Sequence, residues 1–140
     1  MLKILCGIND QEHSELAAEV AIDLARRLQA RLWFFMVNPV ILPGRGPVEH
    51  LYSKNCVAGY LQEALRRANA AGVFDVRSET RHVSNIADAI IDYANELGAD
   101  YVVIGSDRRP RPMDWLRDSI SQRIITLAEF PVLVVKRKRY

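Results

Sequence analysis

Ile86-Ala87-Asp88-Ala89-Ile90-Ile91-Asp92-Tyr93-Ala94-Asn95-Glu96-Leu97-Gly98-Ala99-Asp100-Tyr101-Val102-Val103-Ile104-Gly105 is the stretch that decides the fold. In its first half, Ile86, Ile90, Tyr93, Ala94 and Leu97 recur at helical spacing on one face. Ser84 or Asn85 stands where an N-cap oxygen is needed, and Gly98 is placed to close the helix in a left-handed turn. The second half, from Tyr101 to Ile104, is an unbroken apolar run of the kind buried on both faces of a sheet. A helix running directly into such a strand is the crossover of a parallel sheet.

The same alternation extends in both directions. Leu2 to Ile8 is an aliphatic strand ended by Asn9-Asp10. Ser14 or a near neighbour can cap the next helix, in which Leu16, Val20, Leu24 and Leu28 form a stripe beside Ala17, Ala21 and Ala25. Leu32 to Val37 is a second buried strand, stopped by Asn38-Pro39. The following stretch to Pro47 holds Pro43, Gly44 and Gly46 and predicts a loop. Helical spacing returns from about Val48 to Ala71, with Leu51, Val57, Leu61, Ala64, Leu65 and Ala68 as core positions and Gly72 as terminator. Val73 to Val83 carries Asp75, Arg77, Glu79 and Arg81, which predicts an edge strand half open to water. Near the end, Ser119 with Gln122 makes a capping-box pattern for a helix to about Ala128. Pro131 to Val135 is the last strand, followed by a basic tail.

The expected architecture is therefore α/β: one doubly wound, five-stranded parallel sheet with helices on both faces, forming a single domain over residues 1–140. With a 3-2-1-4-5 strand order the winding reverses between the first and fourth strands, and ligands in such sheets bind beyond the strand ends at that point. The loops after Ile8 and Ile104 are the places to look. A net charge of +2 is too small to imply a nucleic-acid partner. The longest apolar runs are strand-sized, so no membrane span is expected. Met1 to Leu5 enters a strand without the basic lead and cleavage site of a signal peptide, which points to the cytoplasm. Cys6 and Cys56 show no C-x-x-C or metal-ligand spacing and read as free thiols in a strand and a helix.

Three segments together carry a family resemblance. Ile4-Leu5-Cys6-Gly7-Ile8-Asn9 with Glu12-His13-Ser14, then Gly98 to Ser106, then Ser119 through Phe130-Pro131-Val132-Leu133-Val134-Val135 resemble the universal stress protein family in order and spacing. That resemblance implies an adenine nucleotide alpha hydrolase-like fold, a homodimer formed through the last strand, and a stress-response or regulatory role. It also implies ATP binding through a loop of form G-x2-G-x9-G-(S/T). Gly105 matches the first glycine and Ser119 keeps the hydroxyl, but Arg108 and Asp118 replace the second and third glycines. Asn9 stands where nucleotide-binding members commonly carry Asp.

These departures have physical consequences. Glycines let backbone amides close on phosphate, and Arg108 puts a side chain there, although its guanidinium can itself bind an anion. Asp118 sets a carboxylate beside the helix N-terminus that would otherwise attract phosphate. Asn9 offers an amide but no negative oxygen to a metal ion or a ribose hydroxyl. The loop is strongly cationic through Arg108, Arg109, Arg111 and Arg117, opposed by Asp107, Asp114 and Asp118. A solvated, self-compensating loop is the favoured reading; an anion site rebuilt from guanidinium groups is the other.

The expected ligand site comprises Ile8, Asn9, Val37, Ile104, Gly105, Arg108, Asp118, Ser119 and Ile120, with ATP or AMP as the candidate nucleotides and ATP binding weak or absent. Two alternatives stay open: a genuine adenine-nucleotide binder using the Arg-rich loop, and a nucleotide-hydrolysing α/β enzyme. No G-x-S-x-G elbow or nucleophile beside a histidine is present, so catalysis is not expected. His13, His50 and His82 are separated in sequence and predict no metal site. Trp33, Phe34 and Phe35 read as core; Trp115 falls in the polar loop, positioned to cover the cleft or a subunit partner. The tail from Lys136 to Tyr140 reads as a solubilising end that blunts the last strand's edge.

Overall fold

The computed structural model describes residues 1–10, 12–41, 46–106 and 120–136. Its elements in chain order are β1 (Lys3–Ile8), α1 (Glu12–Leu28), β2 (Arg31–Val37), β3 (Val40–Ile41), β4 (Glu49–His50), α2 (Lys54–Ala70), β5 (Val76–Arg81), α3 (Ile86–Leu97), β6 (Tyr101–Gly105), α4 (Ile120–Leu127) and β7 (Val132–Val135). The five long strands form one sheet in the order β5-β2-β1-β6-β7, every pair parallel. Counting only those strands, this is the 3-2-1-4-5 order expected above. β3 and β4 make a separate two-stranded antiparallel ribbon.

Side-chain alternation along the strands divides the core into two layers. Ile4, Cys6, Leu32, Phe34 and Met36 face α1 and α2. Leu5, Trp33, Phe35, Val37, Val102 and Ile104 face α3 and α4. The start of β1 is tied to the α3–β6 junction: the Lys3 amide donates to the Asp100 carboxylate at 2.8 Å, and the Asp100 amide donates back to the Lys3 carbonyl at 2.8 Å. The Lys3 ammonium also donates to the Leu97 carbonyl at 3.0 Å, a cation at a helix C-terminus where the dipole favours it. α3 is capped as its sequence requires, by Asn85 at the N-terminus and by Gly98 at φ +66° beyond the C-terminus. Among the described residues, no helix is long and apolar enough to cross a membrane.

Several expectations are corrected. The buried face of α1 is Ala17, Ala18, Ala21, Ile22 and Ala25, while Leu16, Val20 and Leu24 are half-buried and Leu28 is exposed. The alanines lie against the sheet, with Ile22 beside them in the same core layer. Ser14 is not a cap but lies inside α1, where its hydroxyl accepts from the Asn9 amide at 2.8 Å. α2 begins at Lys54, not near Val48, because Ser53 caps it by accepting from the Cys56 amide. Val48, Glu49, His50 and Leu51 are exposed, so Leu51 is not core; Glu49 and His50 pair with β3 instead. The expected loop after Pro39 thus contains a short strand, Val40–Ile41. β5 occupies Val76–Arg81 at the sheet edge, shorter than the charged stretch suggested.

Candidate functional site

Two residues fix the geometry at the carboxyl ends of the central strands. Asn38, directly after β2, is 1% exposed, a burial that requires its amide to be satisfied. Its side-chain oxygen accepts from the Tyr52 amide and its side-chain nitrogen donates to the Tyr52 carbonyl, both at 2.9 Å. The pair reproduces one rung of a sheet ladder with a side chain. This fastens the segment before α2 across the strand ends and delivers Tyr52 to the site.

Between β1 and β6, where the winding reverses, lies a cleft of about 240 Å³. Its walls and floor are apolar: Ile8 from β1, Phe35 and Val37 from β2, Ile86 and Ile90 from α3, Ile104 from β6 and Ile120 from α4. Gly7 contributes by lacking a side chain, since a Cβ there would stand 3.3 Å from Ile90 Cδ1 and 3.5 Å from Ile104 Cγ2. The polar residues of its lining are Asn9, Asp10, Ser14 and Tyr52. The Tyr52 phenol donates to Asp10 Oδ1 at 2.9 Å. Burial first, and then the Asp10 carboxylate, pushes the Tyr52 phenol up to about 12. Phe35 is held from behind by a column in which Tyr93 stacks on it at 4.7 Å and the Arg81 guanidinium lies 4.9 Å from the Tyr93 ring. Arg81 is itself anchored by an ion pair with Glu96.

Of the expected site residues, Ile8, Asn9, Val37, Ile104, Gly105 and Ile120 line this one cleft. Arg108, Asp118 and Ser119, with Trp115 and the rest of the Arg-Pro loop, lie outside the described residues, as do residues 137–140 of the basic tail. No Lys or Arg is among the described residues lining the cleft. Sequence reading missed Gly7, Asp10, Ser14, Phe35, Tyr52, Ile86 and Ile90 as lining residues. Asn38 carried a usable signal, a polar residue directly ending an apolar strand. Tyr52 did not, because the helical spacing assigned from Val48 absorbed it.

The structure also brings His50 and His82 together, their rings 4.8 Å apart and edge to face, though they are distant in sequence. No third ligand joins them: among the described residues no group of three His, Cys, Asp or Glu side chains is arranged to hold a metal ion. Cys6 is fully buried, which pushes its thiol well above the ordinary range and makes it inert; Cys56 is half-buried, and both are free.

Known proteins share this fold. The sequence matches the profile of the universal stress protein family over residues 1–136. A universal stress protein of Methanocaldococcus jannaschii is 29% identical, the alignment covering 98% of this chain and 83% of the relative. Another, from a Synechocystis strain, is 27% identical over 94% of this chain and 83% of its own length. Among solved structures, a universal stress protein in complex with cAMP superposes with a TM-score of 0.80 at 22% identity, covering 96% of both chains. A universal stress protein from Archaeoglobus fulgidus in complex with dAMP gives 0.64 at 18% identity, covering 96% of this chain and 97% of that one. At these identities the structural likeness speaks for the fold. The family match over nearly the whole sequence goes further: the chain belongs to the universal stress protein family.

Proposed function

We propose that this protein is a cytoplasmic regulatory domain of the stress response that acts by binding rather than turnover, and that its cleft takes an adenine nucleoside or nucleoside monophosphate, with ATP held weakly. The observation that carries this reading is the largely apolar cleft at the winding reversal, with Asn9, Asp10, Ser14 and Tyr52 as its polar groups. An apolar slot with a few placed polar groups suits a planar base and a sugar. The relatives solved with cAMP and with dAMP carry ligands of that class. Weak ATP binding follows from the sequence of the loop, where Arg108 and Asp118 stand in place of glycines. Each extra phosphate has to be met by backbone amides or cations, and Asp118 opposes it. A homodimer formed through β7 completes the proposal, because among the described residues that strand is paired on one side only, with β6.

Calorimetric titration with AMP, ADP and Mg-ATP tests it. The expected result is saturable binding of AMP, with ATP no tighter. ATP affinity should then rise in the double substitution Arg108→Gly, Asp118→Gly. Tight ATP binding by the unaltered protein, or no binding of any of the three, overturns the reading.

A further inference from the structure

We infer that the groove between α2 and β5 is a second ligand site, suited to an amphipathic monocarboxylate, an apolar chain that ends in a carboxylate. The groove lies at the edge of the sheet and shares no described lining residue with the nucleotide cleft.

One wall is a face of α2, where Val57, Ala58, Leu61 and Leu65 follow one another at helical spacing. Val57 and Leu61 are buried, Leu65 is half-buried and Ala58 is exposed, so this wall is apolar out to its rim. The other wall is the row Ser78, Thr80 and His82, alternate residues along β5 and just beyond it. Between them is a space of about 450 Å³, within the range of small-molecule sites. A helix that joins two parallel strands runs back against their direction, so the start of α2 and the end of β5 meet at one end of the groove. Lys54 and His82 therefore mark a polar end, and Leu65 marks an apolar one.

The charge of the polar end is uncompensated. No Asp or Glu is among the described lining residues. Arg66 and Arg67 of the same helix are neutralised by Glu63, but Lys54 makes no ion pair among the described residues. A free ammonium beside the Thr80 hydroxyl and the His82 ring complements a carboxylate, and the α2 face complements a hydrocarbon body. An added peptide strand suits this edge less well, because Arg77 and Glu79 of β5 are exposed charges along it.

NMR titration of the backbone amides with octanoate, octanol and acetate tests the site. Octanoate should shift the amides of α2 and β5 that line the groove, and should bind about threefold or more tighter than octanol. Acetate, with no apolar body, should produce no saturable shift. Lys54→Met keeps an apolar stem and removes the charge, and should bring octanoate to within about twofold of octanol. Ala58→Phe fills the groove from an exposed helical position and should weaken both ligands by about tenfold or more. Thermal melts of both variants within a few degrees of the unaltered protein show that the fold is kept. The site is disproved by the absence of octanoate shifts, by shifts confined to another surface, or by octanoate and octanol binding equally to the unaltered protein. Full octanoate affinity in either variant disproves it as well. Shifts at the same amides on concentrating the protein alone would identify a second copy as the occupant and overturn the carboxylate assignment.

Discussion

At Tyr52 the phenol proton is held by two causes acting together, burial first and then the Asp10 carboxylate that accepts it. They move the group from the ordinary value of 10 to about 12. The folded protein therefore binds this proton more tightly than the unfolded chain does. The stabilising contribution is whole below pH 10 and is lost as the pH rises through about 12. In urea unfolding followed across that alkaline range, the stability difference between the unaltered protein and Tyr52→Phe should shrink as pH rises. A difference independent of pH would mean that the phenol's proton is not held by the fold. Sequence reading had no access to this residue's role. The signal at Tyr52 is a tertiary hydrogen bond to Asp10, forty-two positions away, made possible by an amide clamp from Asn38.

The helices show a different division between what is local and what is not. That α1 and α3 exist follows from spacing and capping alone, and α3 ends at Gly98 as its left-handed φ of +66° demands. Which face of α1 turns inward does not follow. Leucines and alanines occupy neighbouring stripes, and side-chain hydropathy favours the leucines. The packing decides the other way: α1 lies chiefly over β1 and β6 and turns Ala17, Ala21 and Ala25 to the sheet. Ala21, fully buried at the centre of that stripe, is the sensitive position. Ala21→Leu should cost about 1–3 kcal/mol or more by overpacking, measured as a lowered urea midpoint. Leu28→Ala, at a side chain 42% exposed, should stay within about 0.5 kcal/mol. Equal effects at the two positions would restore the leucine stripe as the core face. The start of α2 was misread for a related reason. Helical spacing continues through Leu51, but Ser53 caps the helix and β4 pairs with β3, and backbone hydrogen bonding outweighs periodicity.

On the scale of the whole molecule, winding and the location of a cleft at its reversal were legible because connection handedness and buried strands leave few arrangements. Six of the nine expected site residues converge on one cleft for that reason. Of the cleft's polar residues Asn9 was legible and Tyr52 was not, since its place depends on how the segment between β2 and α2 folds back over the strand ends. The sheet's two edges carry the remaining consequence. β5 presents exposed Arg77, Ser78 and Glu79, charges and hydroxyls that discourage pairing with another strand. β7 is the opposite: Val132-Leu133-Val134-Val135, with Leu133 42% exposed, and the adjacent α4 exposes Ile125 at 51% and Leu127 at 48%. An apolar strand edge beside exposed aliphatic side chains is a surface on which a second copy gains by burial. Sedimentation velocity should show a dimer that Leu133→Arg converts to monomer, because a desolvated guanidinium facing its own symmetry mate has no partner there. Nucleotide binding should survive in that variant, since Leu133 is not among the residues lining the cleft. A monomer at all concentrations before substitution would remove the β7 interface, and a dimer unchanged by Leu133→Arg would move it to another surface.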